Sequence, residues 1–411
     1  MNEPAGLLIV GAGPAGMALL SAAHDAGTLG DLVDDGLCVV DPCPPDRVGA
    51  GRLSGYVVRS DTSGRVFTEC ASASMTRDDD ASAALLDSCD RDGPVELTVA
   101  ATLLAAAATT VMSAAAGRSG SDIFVRGRAV DVQPGPEYQT VVVETATGTE
   151  AIAARSVVLA TGGSPAIPAW LQDADLSGEL VHSDAVIRGQ LPPRFVAARS
   201  RAPRIVVVGG SHSAFSATTT LLGLDPERLW PDAAITVMHR SPVRVTYFDV
   251  ESAIAEGFAF DDDDVCPLTG RIHRFGGLRT DSADLWRRVR DGVEPRVRLT
   301  QLGPGDAGLA NVVKSADLVV AATGYASSAA ALLPGWSAPP RFDGHGRLVD
   351  DGDAIVPGIY GMGLGAGRRR DDSTGGEPSF KGAIDGVWFY QHVVAPAVLT
   401  QLTDRDRLVG V

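Results

Sequence analysis

Two short stretches constrain this chain more than anything else in it. Leu7-Leu8-Ile9-Val10 runs into Gly11-Ala12-Gly13-Pro14-Ala15-Gly16, and Ile205-Val206-Val207-Val208 runs into Gly209-Gly210-Ser211-His212-Ser213-Ala214. Each apolar run suits a buried parallel strand and is too short for a helix. In the first turn the GxGxxG spacing gives each glycine a task. Gly11 makes the tight turn, Gly13 lets a phosphate approach the backbone, and Gly16 lets helix and strand pack closely. Pro14 and Ala15 open the helix, whose free N–H groups attract an anion. The second turn reads as GxSxxA, with small residues in place of the later glycines. Its candidate contacts are Gly209, Gly210, Ser211 and Ser213. Two such turns in 411 residues predict an α/β fold with two Rossmann-like dinucleotide-binding domains.

The next strand of each unit separates the two ligands. Leu37 to Val40 ends in Asp41, an acid placed for ribose hydroxyls and hostile to a 2′-phosphate. Ile235 to Met238 ends in His239-Arg240, where arginine pairs with a 2′-phosphate. The first site is therefore expected to hold FAD and the second NADP(H). Between them, Ile123 to Val132, Thr140 to Glu144 and Ala151 to Ala160 read as a small antiparallel β-meander in the FAD domain, closing on Thr161-Gly162-Gly163. Leu191 to Pro203 reads as a linker. The expected division is FAD domain 1–195, NADPH domain 196–328, and a return to the FAD domain over 329–411.

A net charge of −16 argues against nucleic acid and against an anionic membrane. The apolar stretch Val95 to Gly117 is rich in alanine and threonine, and reads as a packed helix rather than a span. No signal peptide fits ahead of Gly11, and the five cysteines form no CxxC, which suits free thiols in the cytoplasm. No metal is expected, since no HExxH or calcium-loop spacing occurs, and Asp261 to Asp264 reads as a solvated loop. Self-association into a homo-oligomer is left open.

Four segments in order resemble the class B flavin-dependent monooxygenases, which comprise flavin-containing monooxygenases, amine N-hydroxylases and Baeyer–Villiger enzymes. They are GAGPAG at Gly11, LSGELVH at Leu176 to His182, GGSHSA at Gly209, and DLVVAATGY at Asp317. The second of these, FxGxxxHxxx(W/Y) in the family's pattern, has Leu176 for its phenylalanine and Val186 for its aromatic, which weakens a Baeyer–Villiger assignment. Arg59-Ser60-Asp61 is similar to the Arg–Asp element those enzymes place beside the flavin, and points the other way. The resemblance implies insertion of one atom of O2 into a small-molecule substrate, with NADPH-reduced FAD forming a C4a-(hydro)peroxyflavin. It favours N-hydroxylation of an amine or amino acid. Baeyer–Villiger or S-oxygenation and a non-oxygenating NADPH–flavin oxidoreductase stay open, as does a nucleotide-binding protein without turnover. A disulfide reductase would need a CxxC. The resemblance also makes Arg59, Asp61 and His182 the candidate catalytic residues. Thr161, Gly162, Thr323, Gly324, Tyr325 and Gly363 are further candidates for cofactor contact, and Ile384 to Tyr390 reads as an apolar C-terminal helix.

Overall fold

The computed structural model describes residues 3–72, 74–75, 80–198, 202–303, 306, 308–334, 336, 340–371 and 373–409. Strands Ala5–Val10 and Leu37–Asp41 lie parallel, with Leu7 opposite Leu37 and Val10 opposite Val40. Helix Pro14–Asp25 crosses between them. Strands Ile205–Val208 and Ile235–His239 repeat the arrangement around helix His212–Leu222. Both parallel pairs are built from near-continuous apolar runs, as strands covered on both faces must be.

The two units carry separate sheets. The first has eight strands and contains the expected meander: Phe124–Gln133, Gln139–Thr145 and Gly148–Leu159 pair antiparallel. The last of these is long enough to leave the meander and run parallel to Ala5–Val10, and it also lies beside Ile355–Gly361. The C-terminal segment therefore returns to the first sheet. The second sheet has five parallel strands, in the order Val297–Gln301, Ile235–His239, Ile205–Val208, Leu318–Ala321, Glu179–His182. That last strand precedes residue 195 in the chain yet pairs with Leu318–Ala321, so strand pairing reaches across the expected boundary. Residues 193–198 of the expected linker form a short helix, and residues 199–201 lie outside the described residues.

Two similar connectors join the sheets. Gly163–Pro165, after Thr161-Gly162, pairs antiparallel with Tyr325–Ser327, after Thr323-Gly324. Thr323 Oγ1 donates to the Ala166 carbonyl at 2.6 Å, and Ala166 N–H to the Gly324 carbonyl at 3.1 Å. The chain thus crosses between units through a two-stranded ribbon.

Helix Leu97–Ser119 is long and apolar enough to cross a membrane by length and composition alone. In the fold its residues Ala100, Leu103, Leu104, Ala107 and Val111 are buried in two hydrophobic clusters of the first unit. The aspartate run is more than a solvated loop. Asp262–Asp264 is a 3₁₀ turn with a capping box, and Ser379 donates its hydroxyl to Asp264 and its N–H to the Asp263 carbonyl. The C-terminal helix starts at Val387, three residues later than expected, because Gly386 is extended at φ 156°, and it passes through a π-turn at Tyr390–Val394. All five cysteines are free thiols.

Ahead of strands Ile235–His239 and Val297–Gln301 lies a buried ionic network. Arg296 donates to both oxygens of Glu294 at 2.7 and 2.8 Å, and to Asp225 at 2.9 Å. All three residues are buried. Asp225 in turn accepts the N–H groups of Leu229 and Trp230, fixing the loop that enters strand Ile235–His239.

Candidate active site between the two glycine turns

The first turn has the geometry its spacing predicts. Gly11 sits at φ 105°, a region L side chains rarely adopt. A Cβ on Gly16 would lie 1.9 Å from the Gly11 carbonyl oxygen, so only glycine lets helix Pro14–Asp25 meet the strand. Gly13 differs: a Cβ there meets nothing nearer than the Gly51 Cα at 3.9 Å, and it faces a large cavity. Asp41 accepts Ala12 N–H at 2.7 Å and Cys43 N–H at 2.8 Å, which holds its carboxylate at the strand end. A carboxylate has about four acceptor sites, so capacity remains for ribose hydroxyls. Thr161 Oγ1 is buried beside the turn and has no partner among the described residues. No acidic residue occurs in the helix's first turn to repel a phosphate. The open face at Gly13, the held acid and the orphaned hydroxyl fit a dinucleotide.

The cavity spans both turns with a volume of about 2470 Å³. A single ligand site usually measures ~300–1,000 Å³, so this space accommodates several ligands at once. Of the residues expected from sequence, Gly11, Gly13, Pro14, Ala15, Asp41, Arg59, Asp61, Thr161, Gly162, Ser211, Ser213 and Tyr325 line it. Others stand behind the wall. Gly16 and Gly363 are packing positions, the latter with its Cβ direction against Ala15. Gly209 and Gly210 let the second turn approach Ala322 and His239. Thr323 and Gly324 serve the inter-sheet ribbon. Arg240 is exposed at the end of Ile235–His239, with no ion-pair partner among the described residues. His182 ends strand Glu179–His182 away from the cavity wall, and burial holds its pKa below the usual imidazole value against the pull of Asp184.

The Arg59-Ser60-Asp61 element bridges the two units. Arg59 makes a two-point ion pair with Asp281, at the start of helix Thr280–Arg290. Asp61 receives Arg279 at 3.3 Å and lies 3.6 Å from His212 Nε2. His212, inside the second turn, places Nε2 2.9 Å from the Gly277 carbonyl, which fixes the proton on that nitrogen. Its Nδ1 is left as a buried acceptor with no partner among the described residues. Desolvation lowers the His212 pKa and outweighs the opposing pull of Asp61, so the ring is neutral at pH 7.

Two further clusters went unread in the sequence. Tyr56 donates to Asp184 at 2.7 Å, Tyr325 reaches the same oxygen at 3.5 Å, and Arg188 holds the other at 3.0 Å. Tyr56 and Tyr325 both face the cavity. Elsewhere on the cavity lining the Tyr390 hydroxyl donates to Asp385, with Gly386 forming the bend between them. Desolvation by the surrounding protein raises the Asp385 pKa; the Tyr390 bond opposes this and the charge of Asp61 adds to it. A folded-state pKa above the unfolded value means that this carboxyl's contribution to stability is lost as pH rises through the folded value. Asp385→Asn keeps an oxygen for Tyr390 and removes the charge. Asp385 is exposed on the open cavity, so the variant is expected to melt only slightly above wild type at pH 7–8, with the difference fading below about pH 4; thermal melts across that range check it.

The model of the pyridine nucleotide-disulphide oxidoreductase family matches residues 6–368. The chain belongs to this family. It is also 30% identical, over 97% of its own length and 98% of the relative's, to the CMP-5'-(3-aminopropyl)phosphonate hydroxylase of Streptomyces rubellomurinus. Among solved structures, the ornithine N-hydroxylase of Kutzneria sp. 744 shares the fold at TM-score 0.60 and 16% identity, covering 98% of this chain and all of that one. The L-lysine 6-monooxygenase of Pseudomonas syringae does so at TM-score 0.60 and 17% identity, covering 97% and 99%. This family member carries no CxxC. The resemblance to class B flavin-dependent monooxygenases is borne out, and the family is one that binds a flavin and a pyridine nucleotide.

Proposed function

We propose that the chain is an NADPH-dependent N-hydroxylase whose substrate is a primary amine joined to CMP through a phosphonate, or a close analogue of it. The observation that carries this reading is the 30% identity, end to end, with a hydroxylase of that substrate. The cavity supports it, because a nucleotide-linked amine needs room beyond two dinucleotides. Arg59 supports it too: its charge is taken up by Asp281, which leaves it poorly placed for the Baeyer–Villiger role.

In this reading the turn at Gly11 holds FAD and the turn at Gly209 holds NADP(H), with the units dividing as the sequence suggests apart from strand Glu179–His182. Bound FAD, reduced by NADPH, supplies the activated oxygen. The chain's own groups handle the amine. Asp61 and Asp385 face the cavity between the units and draw a cationic amine inward, while Arg279 holds Asp61 in place. The apolar wall of Ile384, Val387 and Phe389 sheds water. FAD-loaded protein tested with aminoalkylphosphonates, free and CMP-linked, is expected to consume NADPH faster with the linked amine and to yield its hydroxylamine. Stimulation by ketones or thioethers and by no amine would overturn the proposal.

Arg240 is proposed to select NADPH. Its neighbour Arg244 is turned toward the Ser379 carbonyl at 3.4 Å, so Arg240 stands alone at the strand end. A charged hydrogen bond contributes roughly 1.5–3 kcal/mol. Arg240→Ala is therefore expected to raise KM for NADPH by about ten- to a hundredfold and leave KM for NADH unchanged. Steady-state kinetics with both nucleotides tests this.

A further inference from the structure

Beyond the two glycine turns, the cavity is walled by an excursion of the second unit between Val245 and Thr280. Three bridges fold it on itself: Val245 with Leu278, Tyr247 with Ile272, and Val265 with Ile272. It brings Phe248, Arg271, Arg274, Phe275 and Arg279 to the cavity. Arg279 is committed to Asp61. Arg271 and Arg274 have no carboxylate partner among the described residues, in a chain where Asp and Glu outnumber Lys and Arg by 51 to 35.

Each of these two guanidinium groups lies over an aromatic ring instead. Arg271 is 4.9 Å from the centre of Phe248, and Arg274 is 4.7 Å from that of Phe275. Arg274 spends one nitrogen on the Thr374 carbonyl at 2.9 Å, with the Cys266 sulfur 3.7 Å away. Two acids bonded into this loop are occupied. Glu377, fully buried, accepts the N–H groups of Phe275 and Gly276, and Asp264 accepts Ser379 and Asp261 N–H. Those bonds anchor the loop and leave the two forks facing the cavity. Phe248 is 74% exposed, an apolar ring left open on a cavity wall.

A guanidinium fork matches the oxygens of a phosphate or phosphonate, and an open ring offers a stacking face to a planar base. We propose that Arg271 and Arg274, with Phe248, form a subsite for a phosphate- or phosphonate-ester anion that bears a nucleobase. It is built from residues of neither cofactor turn and holds the handle of the substrate. The cargo on that handle rests on the amine-hydroxylating reading; the anion site itself stands on the geometry. The same chemistry could come from the phosphates of NADP(H), and the test separates the two sources.

FAD-loaded wild type, Arg271→Ala, Arg274→Ala and Phe248→Ala are titrated calorimetrically with CMP and, separately, with NADP+. Loss of one charged contact is expected to weaken CMP binding about ten- to a hundredfold in each arginine variant. Phe248→Ala is expected to weaken it severalfold, with NADP+ affinity unchanged in all three. Arg271 is exposed and its variant leaves the core untouched, so it keeps the test open if Arg274→Ala does not fold. No CMP binding by wild type, equal binding by the variants, or parallel loss of NADP+ would each overturn the subsite. Hydroxylation of a free amine without CMP binding would sink the subsite and spare the activity. CMP binding without hydroxylation of any amine would do the reverse.

Discussion

Gly13→Val is expected to yield a folded, colourless protein. The strand, turn and helix leave the Cβ direction of Gly13 open, with the nearest atom 3.9 Å away, so the fold accepts a side chain there. What the side chain occupies is the approach of the pyrophosphate to the backbone N–H groups at the start of helix Pro14–Asp25. FAD affinity should fall by at least about a hundredfold, since the lost contacts include several charge-assisted bonds of ~1.5–3 kcal/mol each. Gly16→Val is the contrasting case. Its Cβ would press on the Gly11 carbonyl at 1.9 Å, so the first unit itself should fail to assemble and little soluble protein should be recovered. Circular dichroism and flavin absorbance on both variants separate the outcomes. Yellow Gly13→Val protein would mean that this turn does not hold the flavin.

The second large effect is on the scaffold. Arg296→Met should cost about 3–5 kcal/mol, because it removes the buried guanidinium shared by Glu294 and Asp225. Asp225 is left with two backbone N–H donors, and Glu294 with the more exposed Arg288 and Arg228. The bond to Arg296 holds the Glu294 pKa below its usual value against desolvation. Burial alone would raise Asp225, and its bonds to Trp230, Arg296 and Leu229 more than offset that. Both lowered pKa values contribute stability that is present above the unfolded carboxylate range and lost as pH falls through the folded values. The deficit of the variant should therefore be largest near neutrality and shrink in acid, as urea titrations at pH 7 and pH 4 would show. Arg59→Ala removes a half-exposed pair with Asp281, and should cost within about 1 kcal/mol. Equal costs for the two substitutions would contradict the burial argument.

What could be read from the sequence was what lies close together along it. The turn at Gly11, its helix and Asp41 form one local unit, and glycine spacing encodes their geometry directly. The meander was legible because its turns separate apolar alternations. The assembled site was not, because its partners are far apart in the chain: Arg279 meets Asp61 across 218 residues, and Tyr56 meets Asp184 across 128. No spacing rule reports such pairs. His212 was in plain view inside GGSHSA, yet its role depends on the Gly277 carbonyl and Asp61, which only the fold brings near. Arg59 shows the opposite case. A three-residue likeness placed it beside the flavin, and the structure spends its charge on Asp281. Strand Glu179–His182 crossed the expected domain division because an edge strand needs only a free sheet edge, which sequence position does not specify.

The central claim, that this chain delivers one atom of O2 to an amine nitrogen, is tested most directly by a single-turnover reaction under ¹⁸O₂. FAD-loaded protein, NADPH and CMP-linked 3-aminopropylphosphonate are combined, and the product is read by mass spectrometry. The account predicts one ¹⁸O atom per product molecule, located on nitrogen, with NADPH consumed in equal amount. Unlabelled substrate with one hydrogen peroxide formed from O2 for each NADPH oxidised to NADP+, or label found on carbon, would contradict it.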